Sequence, residues 1–187
     1  MKLYALCDQD MLDLYAISIE KYIDLAKSKG AEIIQYRNKN ANMAFIKEQL
    51  LLIRKSYNGC LIVNDAYELV EFCDGVHLGQ EDLLAINQNI FKAVTILRHI
   101  IKKDKIFGIS THNEFEVLQA NKMNLDYIGL GAYRDTSTKK DLSHLIGDKI
   151  DYIASISKHP VGVIGGVKLD DEFKYMSYKV IGSGLIK

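Results

Sequence analysis

The chain has few of the residues that would staple, stiffen or anchor a fold. It carries no tryptophan, one proline and three cysteines among 187 residues. Cys7, Cys60 and Cys73 are odd in number and all sit inside apolar runs. That argues against a disulfide framework and for small core residues in a reducing compartment. No run approaches the ~18 unbroken apolar residues of a membrane helix. The opening MKLYALCDQD lacks the apolar core and small-residue cleavage site of a secretory leader. The expectation is a cytoplasmic protein with no membrane partner. There is no excess of charge either, since 24 basic residues balance 24 acidic ones. No overall field therefore draws the chain to nucleic acid, and any anion must be held by a local site.

What is present is a strong alternation. Short apolar runs recur at KLYALC (2–7), EIIQYR (32–37), CLIVND (60–65), GVHLG (75–79), IFGIS (106–110), YIGLGA (127–132), VGVIGG (161–166) and KVIGSG (179–184). Most are continuous and not alternating, as suits strands covered on both faces of a parallel sheet. Between them, SIEKYIDLAKSKG and AFIKEQLLLIRKSYNG place apolar residues at helical spacing, and each ends in glycine, which tolerates the left-handed conformation that closes a helix. NEFEVLQANKM follows the same pattern, with Asn113 placed as an N-cap. The lone proline, Pro160, opens the seventh run, where a missing N–H is tolerated.

Eight strands alternating with helices predict an α/β fold, a compact (β/α)₈ TIM barrel forming one domain over residues 1–187. An open doubly wound sheet is the alternative. Only Leu185, Ile186 and Lys187 follow the last run, so the eighth helix is expected to be missing or truncated. The uncovered side is then a surface for a second copy of the chain, making a homo-oligomer the expected partner state.

The polar residues fall at the ends of these strands. They are Gln35, Tyr36, Arg37, Asn38 and Lys39; Asn64 and Asp65; His77 through Asp82; and Ser110, Thr111 and His112. Thr136, Ser137, Thr138 and Lys139 follow, then Gly165 and Gly166, then Gly182, Ser183 and Gly184. In a parallel barrel all strand C-termini face one mouth, so clusters far apart in the chain meet in space. Arg37, Lys39 and Lys139 bring positive charge, while Asn64 and Ser110 bring neutral hydrogen-bonding groups. Asp65 and Asp82 are hard oxygen donors. Two carboxylates beside several cations suit a diphosphate bound through Mg²⁺, which takes one or two protein carboxylates and fills its sphere with phosphate oxygens and water. The glycines on strands seven and eight form a second anion site, because bare backbone N–H groups can approach a phosphate there.

In order along the chain, QYRNK, VND, DGVHLGQED, GIS-THN, TSTKK, VIGGV and GSGLI resemble the thiamine phosphate synthase family, from about residue 2 to 186. The resemblance implies a transferase that joins 4-amino-2-methyl-5-hydroxymethylpyrimidine diphosphate to 4-methyl-5-hydroxyethylthiazole phosphate, with Mg²⁺ as cofactor. Carried over by position, Gln35, Arg37, Lys39, Asn64, Ser110 and Lys139 would hold the pyrimidine diphosphate, with Tyr36, Asn38 and His77 alongside. Asp65 and Asp82 would bind the metal. Thr136, Ser137, Thr138, Gly166 and Ser183 would hold the thiazole phosphate, with Gly182, itself a departure from the pattern, alongside. Arg37, Lys39, Ser110 and Lys139 are the expected catalytic groups, acting on charge and alignment with no protein nucleophile.

Three departures from the family pattern cluster at the thiazole phosphate half: GAYRD before TSTKK, Gly182 in place of an isoleucine, and a short approach to strand eight through KYMSYK. A thiazole tautomerase using His112 as its proton carrier is the competing enzyme, and a catalytically idle barrel that binds a thiamine precursor is the competing non-enzyme. Plainer roles also stand beside the sharp ones. Asp65 and Asp82 could each cap a helix, the paired glycines could serve close packing, and His77 could be a packed core histidine.

Overall fold

Eight parallel strands close into a barrel in chain order, with the last hydrogen-bonded to the first. They are β1 (Lys2–Asp8), β2 (Ile33–Arg37), β3 (Cys60–Asn64), β4 (Gly75–Leu78), β5 (Ile106–Thr111), β6 (Tyr127–Leu130), β7 (Val161–Val163) and β8 (Tyr178–Ile181). The computed structural model describes residues 1–135 and 145–186. The closed ring realises the barrel expected from the alternating runs and leaves no free sheet edge.

The outer layer is α1 (Gln9–Leu14) and α2 (Ile19–Ser28) after β1, α3 (Met43–Ser56) after β2, α4 (Gln80–Ile86) and α5 (Ile90–Ile100) after β4, α6 (Glu114–Ala120) after β5, and α7 (Ile150–Ser155) after β6. Short polar side chains start most of these helices by accepting a backbone N–H that has no partner inside the helix. Asp8, Ser18, Asn42, Asn89 and Asn113 each do so. Asn113 is thus the cap its position in the sequence foretold.

Departures from an ideal barrel lie in three connections. The AYELVEF stretch after β3 is a 3₁₀ turn over Tyr67–Phe72 that buries Leu69 and Val70. Between β7 and β8 there is no helix, and after β8 only one 3₁₀ turn, Ser183–Leu185. Among the described residues no α-helix follows β8.

Side-chain alternation splits the core in two. One shell, with Ile34, Tyr36, Leu61, Val63, Val76, Phe107 and Ile128, packs between the strands and the helices. A smaller cluster fills the barrel itself, with Tyr4, Leu6, Ile33, Ile62, Tyr127 and Val180. Glycine makes room for the large rings: a Cβ on Gly108 would sit 2.2 Å from the Tyr127 ring. The barrel floor is thus filled by aromatic rings, and space for a ligand opens only above them.

Candidate active site

A cavity of about 400 Å³ opens at the C-terminal ends of the strands. Its wall includes Gln35, Arg37, Lys39, Asn64, Asp65, His77, Asp82, Ser110, Gly166, Gly182 and Ser183. The clusters separated in sequence are brought together around one space. Tyr36 and Asn38 are not part of that wall, because successive strand residues face opposite sides. Tyr36 is fully buried against the helices and donates its hydroxyl to Gln9 Oε1 at 2.9 Å. The Asn38 carbonyl oxygen accepts the backbone N–H groups of Asn40 and Ala41, closing the loop that follows β2. Thr136, Ser137, Thr138 and Lys139 lie outside the described residues.

Arg37 does not stand alone. It is paired laterally with Asp8 across the β1–β2 ladder, where the two are register partners. Its guanidinium is ion-paired with the Asp8 carboxylate, whose side chain is almost wholly buried. The same carboxylate caps α1 by accepting the Met11 N–H at 3.3 Å. Asp8 thus aims Arg37 over the mouth, since a buried guanidinium fork prefers a fixed carboxylate partner. Lys39 lies 3.8 Å from Asp65 and 3.3 Å from Glu81.

Asp65 follows β3 with φ of +62°, a left-handed backbone that a non-glycine residue adopts at a cost. The turn places its carboxyl beside that of Asp82. Burial, with the charge of Asp82 behind it, pushes the Asp65 carboxyl up to about 7, against the pull of Lys39 and Arg37. Two carboxylates forced together in this way are a site that a divalent cation would relieve. Asp82 also accepts the Gly79 N–H at 3.0 Å at the start of α4, so it caps a helix and faces the cavity at once. Among the described residues, no group of three or more His, Cys, Asp or Glu side chains is arranged as a metal cage. A donor set of two carboxylates fits Mg²⁺, which keeps several of its positions for water and phosphate.

Deeper in the cavity His77 is buried between two hydroxyls, with Nδ1 2.8 Å from Tyr127 Oη and Nε2 3.0 Å from Ser110 Oγ. Burial, helped by the charge of His112, lowers its pKa to about 4, so the ring is neutral at pH 7. His77 is both a packed histidine and part of the cavity wall. His112, at the rim, holds Glu116 through both its ring Nδ1 and its backbone N–H, each at 2.9 Å. Burial acts to raise the Glu116 carboxyl, but these contacts outweigh it and keep the group below its ordinary value.

On the opposite side of the ring, Gly165 and Gly166 follow β7 with φ of +91° and +62°. A Cβ on Gly165 would lie 2.6 Å from Ala132 Cβ, and one on Gly166 would lie 2.7 Å from the Asp135 carbonyl oxygen. Only glycine combines this conformation with so close an approach. The pair therefore packs tightly against residues 132–135 and also exposes backbone to the cavity. The segment that departs from the family pattern is tied down at this point. Tyr133 and Arg134 donate their backbone N–H groups to Ile164 and Gly165. The Arg134 guanidinium grips Asp171 through two bonds of 2.8 and 3.0 Å, and Tyr133 meets Phe173 edge-on. Arg134 is spent on this surface clasp.

Sequence reasoning missed Asp8, Tyr4 and Tyr127. Asp8 was legible as a carboxylate at the end of a strand run, in the same relation to its strand as Arg37. The tyrosines sit inside apolar runs and carried no sign that their hydroxyls point into the barrel.

Comparison with known proteins agrees with this geometry. The model of the family described as thiamine monophosphate synthase matches residues 3–183. A thiamine-phosphate synthase of Persephonella marina is 36% identical over 172 residues, covering 89% of this chain and 77% of that protein. One from Clostridium botulinum is 34% identical, covering 88% of this chain and 75% of that protein. Among solved structures, a thiamine phosphate pyrophosphorylase from Pyrococcus furiosus superposes with a TM-score of 0.74 at 25% identity, covering 98% of this chain and 87% of that one. A (S)-3-O-geranylgeranylglyceryl phosphate synthase from Thermoplasma acidophilum, at 12% identity and a TM-score of 0.68, shares the fold alone.

Proposed function

This chain belongs to the thiamine monophosphate synthase family, and we propose that its cavity joins 4-amino-2-methyl-5-hydroxymethylpyrimidine diphosphate to 4-methyl-5-hydroxyethylthiazole phosphate, giving thiamine phosphate and diphosphate. The observation that carries this reading is the convergence of Arg37, Lys39, Asp65 and Asp82 with the glycines after β7 and β8 on a single cavity. One side is built for a diphosphate and the other for a phosphate, as two phosphorylated substrates require.

The bond to be broken joins the exocyclic carbon of the pyrimidine to the diphosphate. Diphosphate leaves easily only if its growing charge is met by fixed positive groups. Arg37, held by Asp8, and Lys39 supply that charge, and Lys139 is proposed to join them. Asp65 and Asp82 would hold Mg²⁺, which when bound supplies further neutralisation of the departing oxygens. The electron-rich aminopyrimidine carries the resulting positive charge, and the thiazole nitrogen captures it. No protein nucleophile takes part. Gln35, Asn64 and Ser110 orient the pyrimidine, while Gly166, Gly182, Ser183 and Thr136 through Thr138 are proposed to seat the thiazole phosphate. The remaining work is alignment of the two rings.

We place the protein in the cytoplasm as one barrel domain. Among the described residues no α-helix follows β7 or β8, and a second copy of the chain is proposed to cover that side. Purified protein mixed with both substrates and Mg²⁺ should release thiamine phosphate, read by chromatography. Asp82→Ala should abolish release while keeping the circular dichroism of the wild type. Product formation by that variant at the wild-type rate would refute the metal role.

A further inference from the structure

We propose that Tyr4 and Tyr127 are positioning residues that set the hydrogen-bond polarity of the pyrimidine end of the cavity, making Ser110 an acceptor and Gln35 and Asn64 donors toward an amino-substituted heterocycle. This deepens the reading above and rests on it for the identity of the ligand. The wiring itself rests on the orientations of the Gln35 and Asn64 amides and not on the ligand.

Six side chains from six different strands form one unbroken chain of hydrogen bonds. Tyr4 donates to Gln35 Oε1 at 2.7 Å, and Gln35 Nε2 donates to Asn64 Oδ1 at 2.7 Å. Tyr4 has a single hydroxyl hydrogen, and the carbonyl oxygen of Gln35 can only accept, so that hydrogen is committed. The 2.9 Å contact between Tyr4 and Tyr127 must then use the hydrogen of Tyr127. Tyr127 is left with lone pairs alone for its 2.8 Å contact with His77, so His77 Nδ1 must carry a proton. Among the described residues no carboxylate touches the His77 ring, whose two nitrogens meet hydroxyls. A neutral ring protonated at Nδ1 has a bare Nε2, which accepts the hydrogen of Ser110 at 3.0 Å.

Every hydrogen in the chain thus has one direction, running from Ser110 through His77, Tyr127, Tyr4 and Gln35 to Asn64. At the Ser110 end only lone pairs are left for a ligand. At the other end, the second Gln35 amide hydrogen and both Asn64 amide hydrogens are uncommitted among the described residues. A ring bearing an amino group beside a ring nitrogen presents a donor and an acceptor, matching this pattern. The corresponding 4-oxo ring carries an acceptor where the amino compound has a donor and places two acceptors against each other at Ser110. Sites that hydrogen-bond a ligand group discriminate strongly against analogues lacking it, because buried polar atoms are then left unpaired.

Nitrogen-15 NMR of the imidazole rings tests the wiring directly. In the wild type at neutral pH, His77 should carry its proton on Nδ1 with Nε2 bare. Tyr127→Phe removes the acceptor, so the proton should move to Nε2 and Ser110 should turn its hydrogen to the cavity. KM for the amino pyrimidine diphosphate should then rise about tenfold, with kcat and the KM for thiazole phosphate within about twofold of wild type. The 4-oxo analogue should gain affinity relative to the amino compound. Tyr4→Phe frees the Tyr127 hydrogen to point at Nδ1 and should shift the ring the same way, providing a second variant should the first fail to fold. A wild-type His77 protonated on Nε2, or on both nitrogens, overturns the proposal. So does a Tyr127→Phe protein that keeps its tautomer and its KM. A wild type that makes no thiamine phosphate would defeat the functional reading, yet the ring spectrum would still decide the wiring.

Discussion

Replacing Asp8 by asparagine should destabilise the protein and loosen its substrate site together. The Asp8 side chain is 1% exposed and that of Arg37 is 18% exposed. Removing one member of a buried pair leaves the other charge without compensation and costs about 3–5 kcal/mol. Arg37 retains some access to solvent, so the low end applies, about 3 kcal/mol. Asparagine keeps an oxygen to accept the Met11 N–H, so the start of α1 survives and the charge is isolated as the cause; Asp8→Ala should lose about 1 kcal/mol more by removing the cap. Urea unfolding would show the Asp8→Asn midpoint lowered by about 1 M. Arg37→Gln should lose a similar amount, and the double variant should be more stable than the sum of the two losses predicts. KM for the pyrimidine diphosphate should rise in Asp8→Asn because Arg37 is no longer aimed. A variant within about 0.5 kcal/mol of wild type, with unchanged KM, would refute the view that Asp8 positions Arg37.

Other perturbations follow from the same geometry. His77 has its pKa lowered from 6.5 to about 4, first by burial and then by the charge of His112. Between these values the unfolded chain binds a proton that the native state excludes, so stability from this group is complete above pH 6.5 and is lost as pH falls towards 4. A shift of this size corresponds to about 3 kcal/mol, and the difference in urea stability between pH 7 and pH 4.5 should shrink in His77→Asn; an unchanged difference would contradict the assignment. Gly166→Ala sets a methyl 2.7 Å from the Asp135 carbonyl oxygen at a φ of +62°. It should cost about 1–3 kcal/mol and raise KM for thiazole phosphate more than KM for the pyrimidine, which steady-state kinetics with each substrate varied would show.

The barrel was legible because its strands are buried on both faces and are therefore continuous apolar runs, set apart by helical spacing and caps such as Asn113. The convergence of Gln35, Asn64, Asp65, Asp82 and Ser110 followed from the rule that strand ends share one mouth. Tyr36 and Asn38 share the polar strand end of Gln35, Arg37 and Lys39, yet the two-residue period of a strand assigns them to the other face. Asp8 was legible as a strand-end carboxylate, but the same position just before a helix also reads as a cap, which it is. The tyrosine chain was not legible at all. A tyrosine within KLYALC reads as core, and only the cross-barrel distances reveal that the Tyr4 and Tyr127 hydroxyls meet. The 3₁₀ turn after β3 and the helix-free connection after β7 were obscured for a different reason: local apolar periodicity does not report how much barrel wall is left to cover.

The central claim is that one cavity binds a diphosphate through a divalent ion held by Asp65 and Asp82, beside Arg37 and Lys39. Isothermal titration of the pyrimidine diphosphate into the protein, with and without Mg²⁺, tests it most directly. Tight binding should appear only with the metal and should disappear in Asp65→Ala. Equal affinity with and without Mg²⁺, or full binding by Asp65→Ala, would contradict it.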